Sequence, residues 1–173
     1  MEREWRRGDH VISTDRDRLD VALIHDFLST RSYWARGIPR AVAERSLEHS
    51  LAFGLYSPVG QVGFGRVVTD YATFAWLGDV FVLEPARGRG LGTWLVGTIV
   101  ELPELASLRR WMLATNDAHG LYRKFGFVDS PPARLMEKVD PDVYCPTRSA
   151  GCVTVPLMED SVRDGRQIAP RRR

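Results

Sequence analysis

Residues 80–100 read VFVLEPARGRGLGTWLVGTIV: an apolar run, a turn with three glycines and two arginines, and a second apolar run. Val80–Leu83 has the unbroken apolar character of a buried strand, and Leu91, Leu95 and Ile99 recur at helical spacing. The turn therefore joins a strand to a helix. Glycine at this density gives up backbone order and lets the main chain come close to a bound group. Two common phosphate loops do not fit. A dinucleotide loop G-x-G-x-x-G starting at Gly88 would need glycine where Thr93 stands, and a Walker loop needs a lysine that the turn lacks. The pattern Arg87-x-x-Gly90-x-Gly92 instead offers free N–H groups and a helix N-terminus to an anion, and a pyrophosphate suits it.

Working outward, FAWLGDVFVL is apolar on both faces, as a central strand must be, and LAFGLYSP and QVGFGRVVTD read as strands joined by a turn near Pro58–Gly60. HVIST (10–14) is a short strand. Ser13 or Thr14 offers an N-cap to a helix over 17–28, on which Leu19, Leu23 and Phe27 recur. Pro39 opens a second helix that runs to about His49. After the helix at 90–102, RRWMLAT predicts a strand, AHGLYRKF a helix ended by Gly126, and ARLMEKV a last strand. The order β-α-α-β-β-β-α-β-α-β predicts an α/β (α+β) fold whose central sheet is mixed, mostly antiparallel, and flanked by helices.

With 173 residues, 44% apolar and 27% charged, one core is expected, assigned here to residues 1–140. From about Pro141 the periodicity lapses, and 141–173 is read as a C-terminal tail, partly disordered. The formal charge of +2 arises in residues 161–173, with five Arg against one Asp, so the rest of the chain is slightly acidic and is not a nucleic-acid surface. Cys145 and Cys152 lack zinc-site spacing, and no metal is expected. The charged start MEREWRRGDH and the absence of any apolar run near 18 residues predict a cytoplasmic protein with no membrane partner.

The stretch LEPARGRGLGTWL resembles the acetyl-CoA-binding motif Q/R-x-x-G-x-G/A of the GNAT superfamily of N-acetyltransferases. ATNDAHGLYRKFGF resembles the strand-helix unit that follows it there, with Ala118, Leu121–Tyr122 and Gly126–Phe127 in register. The likeness covers roughly residues 10–138 and implies the GNAT fold. It also implies acetyl-CoA as cosubstrate, an amine of a small molecule or peptide as acceptor, and direct attack in a ternary complex. Pairing into a homodimer through sheet edges or last strands, as in many relatives, is left open.

The resemblance carries over residue by residue. Val80, Phe81 and Val82 would pair by their backbone with the pantetheine arm, and the N–H near Val82 would polarise the thioester carbonyl. The amides of Arg87, Gly88, Arg89, Gly90, Leu91, Gly92 and Thr93 would cradle the pyrophosphate, and Tyr122 would protonate the leaving thiolate. Tyr122 also fits a plain packing stripe with Ala118, Leu121 and Phe125. Relatives with a Glu-Asp-Leu-type run have their base where this chain has Gly78, so the usual base is absent. Strand alternation separates Asp79 from Gly78, Val80 and Val82, leaving it a structural carboxylate or an acceptor contact. His119 shares a helix face with Tyr122 and is the other candidate base. The asparagine of many relatives is Thr115 here, with Asn116 beside it as a candidate coenzyme contact. The loop 32–38 borders the implied acceptor pocket, where Tyr33 and Trp34 either hold the acceptor or cap the core. Two other classes stay open: a non-catalytic acyl-CoA-binding sensor, and an interaction module with an empty glycine loop.

Overall fold

Five consecutive strands pair antiparallel, each with its sequence neighbour, and a sixth joins parallel at the far edge. The computed structural model describes residues 2–140 together with 143 and 144. Contacts divide the chain after Glu137, and the regular elements of the described residues lie in the first unit. The strands are β1 (Glu4–Arg7), β2 (His10–Ser13), β3 (Leu51–Ser57), β4 (Gly60–Thr69), β5 (Phe74–Val82) and β6 (Arg110–Met112). The helices are α1 (Val21–Asp26), α2 (Arg40–Glu48), α3 (Leu91–Val100) and the short α4 (His119–Tyr122). The expected mixed, mostly antiparallel sheet flanked by helices is present. The tail read at 141–173 and both cysteines lie outside the described residues, apart from Val143 and Tyr144.

Three elements differ from expectation. Strand β1 was not foreseen, because Glu-Trp-Arg-Arg has one apolar residue and no alternation. Its charges are solvated on an edge strand while Trp5 packs on Phe53 with ring centroids 6.2 Å apart. The first helix does not run over 17–28 from Ser13 or Thr14. Those hydroxyls accept from the Asp15 and Arg3 amides instead, a 3-10 turn covers Arg16–Arg18, and Asp20 caps α1 through the Leu23 N–H at 2.9 Å. No strand forms at ARLMEKV. Leu135 and Met136 are adjacent apolar residues that cannot share a strand face, both are exposed, and among the described residues the sheet ends at β6.

Two irregularities shape the site. Past α1 the chain widens into a π-helical turn, Phe27–Arg31. The Ser29, Thr30 and Ser32 hydroxyls bond back to the carbonyls of His25, Asp26 and Leu28 at 2.6–2.7 Å, and such back-bonding competes with the regular helical ladder. In the sheet, Phe64 pairs with Phe81 while Arg66 pairs with Gly78, so Asp79 and Val80 together oppose Gly65. This is a β-bulge, with Asp79 at φ 53°. It shifts the side-chain phase: Leu77 before it and Val80 and Val82 after it all pack into the cluster beneath α3. The strict alternation assumed for Asp79 is broken there.

Strand β6 pairs with Phe74–Trp76. Beyond Trp76 the outer edge of β5 has no strand partner among the described residues, and a cleft opens between the two strands. Close packing supports it from behind: a Cβ on Gly65 would lie 3.1 Å from Ile99 Cδ1, so glycine lets α3 sit against β4.

Candidate active site

The cleft has a volume of about 640 Å³, and its wall includes Tyr33, Trp34, Phe81, Val82, Gly90 and Tyr122. Its floor is the free edge of β5. The Leu83 N–H donates to Val62 O at 2.8 Å, so residues 62/83 and 64/81 exchange ladder bonds and the intervening Val82 turns its own N–H and C=O away from β4. The Val82 carbonyl accepts from Arg87 Nε at 2.8 Å, which ties the glycine turn to the strand.

Gly88 and Gly90 hold φ of 78° and 72°, a left-handed conformation that only glycine adopts without strain. Gly90 is the N-cap of α3, and the first helical bond runs from Trp94 N–H to Gly90 O. The amides of residues 88–93 donate to no oxygen among the described residues. Six unpaired donors at the positive end of a ten-residue helix are chemically matched to a pyrophosphate.

Tyr122, at 8% exposure, stands on the opposite wall with its ring edge-on to Phe127. Burial, with smaller contributions from Tyr33 and Asp117, pushes its phenol up from 10 to about 12. The group is neutral at any ordinary pH and can serve as a proton donor, not as a base.

The loop after the π-helical turn straps across the cleft mouth. Tyr33 Oη accepts from the Asn116 N–H at 2.8 Å, and Trp34 Nε1 donates to Asp79 Oδ1 at 2.9 Å. The two rings meet edge to face at 4.9 Å, and Phe27 stacks on Phe81 below them at 3.8 Å. Asp79 is completed by Arg66 Nε on Oδ2, an ion pair whose side chains are 20% and 10% exposed. The bulge that re-aims Asp79 thus anchors the aromatic loop.

The structure brings Val80, Phe81, Val82, Arg87, Gly88, Gly90, Leu91, Gly92, Thr93, Tyr33, Trp34 and Tyr122 to one cleft. Four candidates stand apart. Asn116 and His119 line a second groove along β6 that shares Tyr122 with the cleft, Arg89 is exposed outside the wall, and Asp79 is engaged by Trp34 and Arg66. The Asn116 backbone N–H is spent on Tyr33 Oη, and His119, at the start of α4, lines the groove that β6 borders. Sequence reasoning missed Arg66, whose partner lies across a bulge that no periodicity marks. It also missed Arg31 and Asp117 on the cleft wall, for which no sequence signal stood out.

A β-bulged strand with a free edge, a glycine turn of unpaired amides and a buried phenol meet in this one cleft. The acetyltransferase (GNAT) domain family matches residues 47–129. A "putative acetyltransferase" of Gibberella zeae is 34% identical over 140 residues, spanning 69% of this chain and 79% of that protein. A crystal structure of a "putative acetyltransferase" of the GNAT family from Xanthomonas campestris is 48% identical. It covers 79% of this chain and 96% of its own, with a TM-score of 0.75. A predicted acetyltransferase from Clostridium acetobutylicum, solved with acetyl-CoA, shares the fold at TM-score 0.55 and 13% identity, over 80% of this chain and 96% of that one. The chain belongs to the GNAT family of acetyltransferases. Among the described residues no helix is long and apolar enough to cross a membrane, and no three His, Cys, Asp or Glu side chains cluster as metal ligands would.

Proposed function

We propose that this protein is an acetyl-CoA-dependent N-acetyltransferase that acetylates an amine of a small molecule or peptide by direct attack. One observation carries the reading: Gly88 and Gly90–Thr93 with their unpaired amides, Val82 with its outward N–H, and Tyr122 line one cleft. The amides hold the pyrophosphate, and the open β5 edge takes the amide groups of the pantetheine arm. The Val82 N–H stabilises the charge that builds on the thioester oxygen. The amine nitrogen forms the new C–N bond as the C–S bond breaks, and the Tyr122 proton moves toward the departing sulfur. The ammonium loses one proton to water before attack, with Asp117, an exposed carboxylate on the same wall, as the route out, and the second proton, shed by the nitrogen as the amide forms, replaces the one that Tyr122 lends to the sulfur. Tyr33 and Trp34 flank the acceptor.

The test is a panel of amines incubated with purified protein and acetyl-CoA, reading free thiol and product mass. An acetylated amine with stoichiometric thiol supports the reading; O-acetylated products alone would refute it. Gly78 in place of a carboxylate favours a second reading, an acyl-CoA-binding domain without turnover. That reading requires coenzyme binding with no thiol released by any amine.

A further inference from the structure

The unforeseen strand β1 runs alongside α3 in the opposite direction. Arg3, Trp5 and Arg7 share one strand face: Arg3 pairs with Glu104 beyond the C-terminal end of α3, and Arg7 reaches its N-terminal end. Arg7 Nη1 donates to Gly90 O at 3.4 Å, a long contact, and a Cβ on Gly90 would lie 3.6 Å from Arg7 Nη2. Arg7 is exposed and meets no carboxylate among the described residues. A cation beside the positive end of a helix is in the unfavourable place, and Arg87 and Arg89 already add charge to the same turn. An anion arriving there reverses the sign of that energy. Arg7 does not line the cleft that takes the pyrophosphate and pantetheine; it sits at the outer rim of the glycine turn.

We propose that Arg7 binds the ribose phosphate of coenzyme A, making β1 a device for recognising the phosphorylated nucleotide. The proposal rests on the coenzyme reading given above. Charge-assisted guanidinium–phosphate bonds are strong and directional, and this phosphate is the one anion of the coenzyme that the amide cradle leaves over. The choice between coenzyme A and its dephospho form is then made by Arg7.

Titration calorimetry on the full chain tests it, with acetyl-CoA and acetyl-dephospho-CoA as ligands. Wild type is expected to bind acetyl-CoA about tenfold more tightly than the dephospho ligand, and Arg7→Gln should remove that preference by weakening acetyl-CoA alone. Arg7→Lys should restore part of it. Arg6→Gln, which removes one charge from the other strand face, should change neither affinity. Equal weakening of both ligands by Arg7→Gln, no change in either, or an equal effect of Arg6→Gln would overturn the proposal. Wild-type protein that binds neither ligand overturns the coenzyme reading itself, and the Arg7 assignment with it. Thermal melts of the unliganded variants check folding, and Arg7→Gln is expected to melt no lower than wild type.

Discussion

Replacing Tyr122 by Phe separates chemistry from packing at the centre of the site. The hydroxyl has no hydrogen-bond partner among the described residues, and the ring packs on Phe127, so the substitution removes no internal bond and leaves no cavity. The unfolding free energy should change by less than about 0.5 kcal/mol, and the acetyl-CoA dissociation constant by less than about twofold. The rate is a different matter. A phenol raised by burial to about 12 is a weaker acid than a free thiol, so complete transfer to a solvated thiolate would be uphill. In the proposed mechanism Tyr122 then acts through a hydrogen bond to the sulfur that strengthens as charge develops. That places its contribution at the low end of general acid catalysis, ~100-fold or about 2.7 kcal/mol. Single-turnover thiol release at saturating acetyl-CoA, using an amine that the panel identifies, measures it. A rate within about threefold of wild type would refute the acid role, and a collapsed coenzyme affinity would show that Tyr122 is a structural residue.

Further outcomes follow from the same geometry. Asp79→Asn keeps a residue type that tolerates φ 53° but offers one acceptor oxygen to two donors, Trp34 and Arg66, so stability should fall by about 2 kcal/mol, with a changed Trp34 fluorescence; an unaltered melt would remove the anchoring role. Gly90→Ala meets no clash but forces an alanine to φ 72°, costing about 1 kcal/mol and weakening acetyl-CoA binding; an affinity equal to wild type would free the turn from the coenzyme. Burial raises Tyr56 as well as Tyr122 to about 12, so folded and unfolded chains differ in bound protons between pH 10 and 12. The unfolded chain gives up those protons first, and stability must fall as pH rises through that window, by about 2–3 kcal/mol for each tyrosine. Urea midpoints at pH 9 and 11 sample the first half of that window, about 1.4 kcal/mol for each tyrosine, and Tyr122→Phe should recover about half of the combined loss; a flat profile would contradict both shifts.

Residues 80–100 alone determined the strand, the glycine turn and the helix, because local steric preference and a 3.6-residue apolar repeat act between near neighbours in sequence. The same local logic placed α2, the β3–β4 hairpin and the Gly126 stop, whereas Tyr33, Trp34 and Tyr122 are singled out by the resemblance to the GNAT superfamily. Only the tertiary structure decided that Asp79 turns toward Trp34, that β1 exists and lays Arg7 beside Gly90, and that the Asn116 backbone N–H is spent on Tyr33 Oη. Each of these depends on a partner between 45 and 83 residues away. A bulge, an edge strand of charged residues and a backbone N–H spent on a distant hydroxyl carry no periodic signature, since their stability comes from the group they meet and not from the residues beside them.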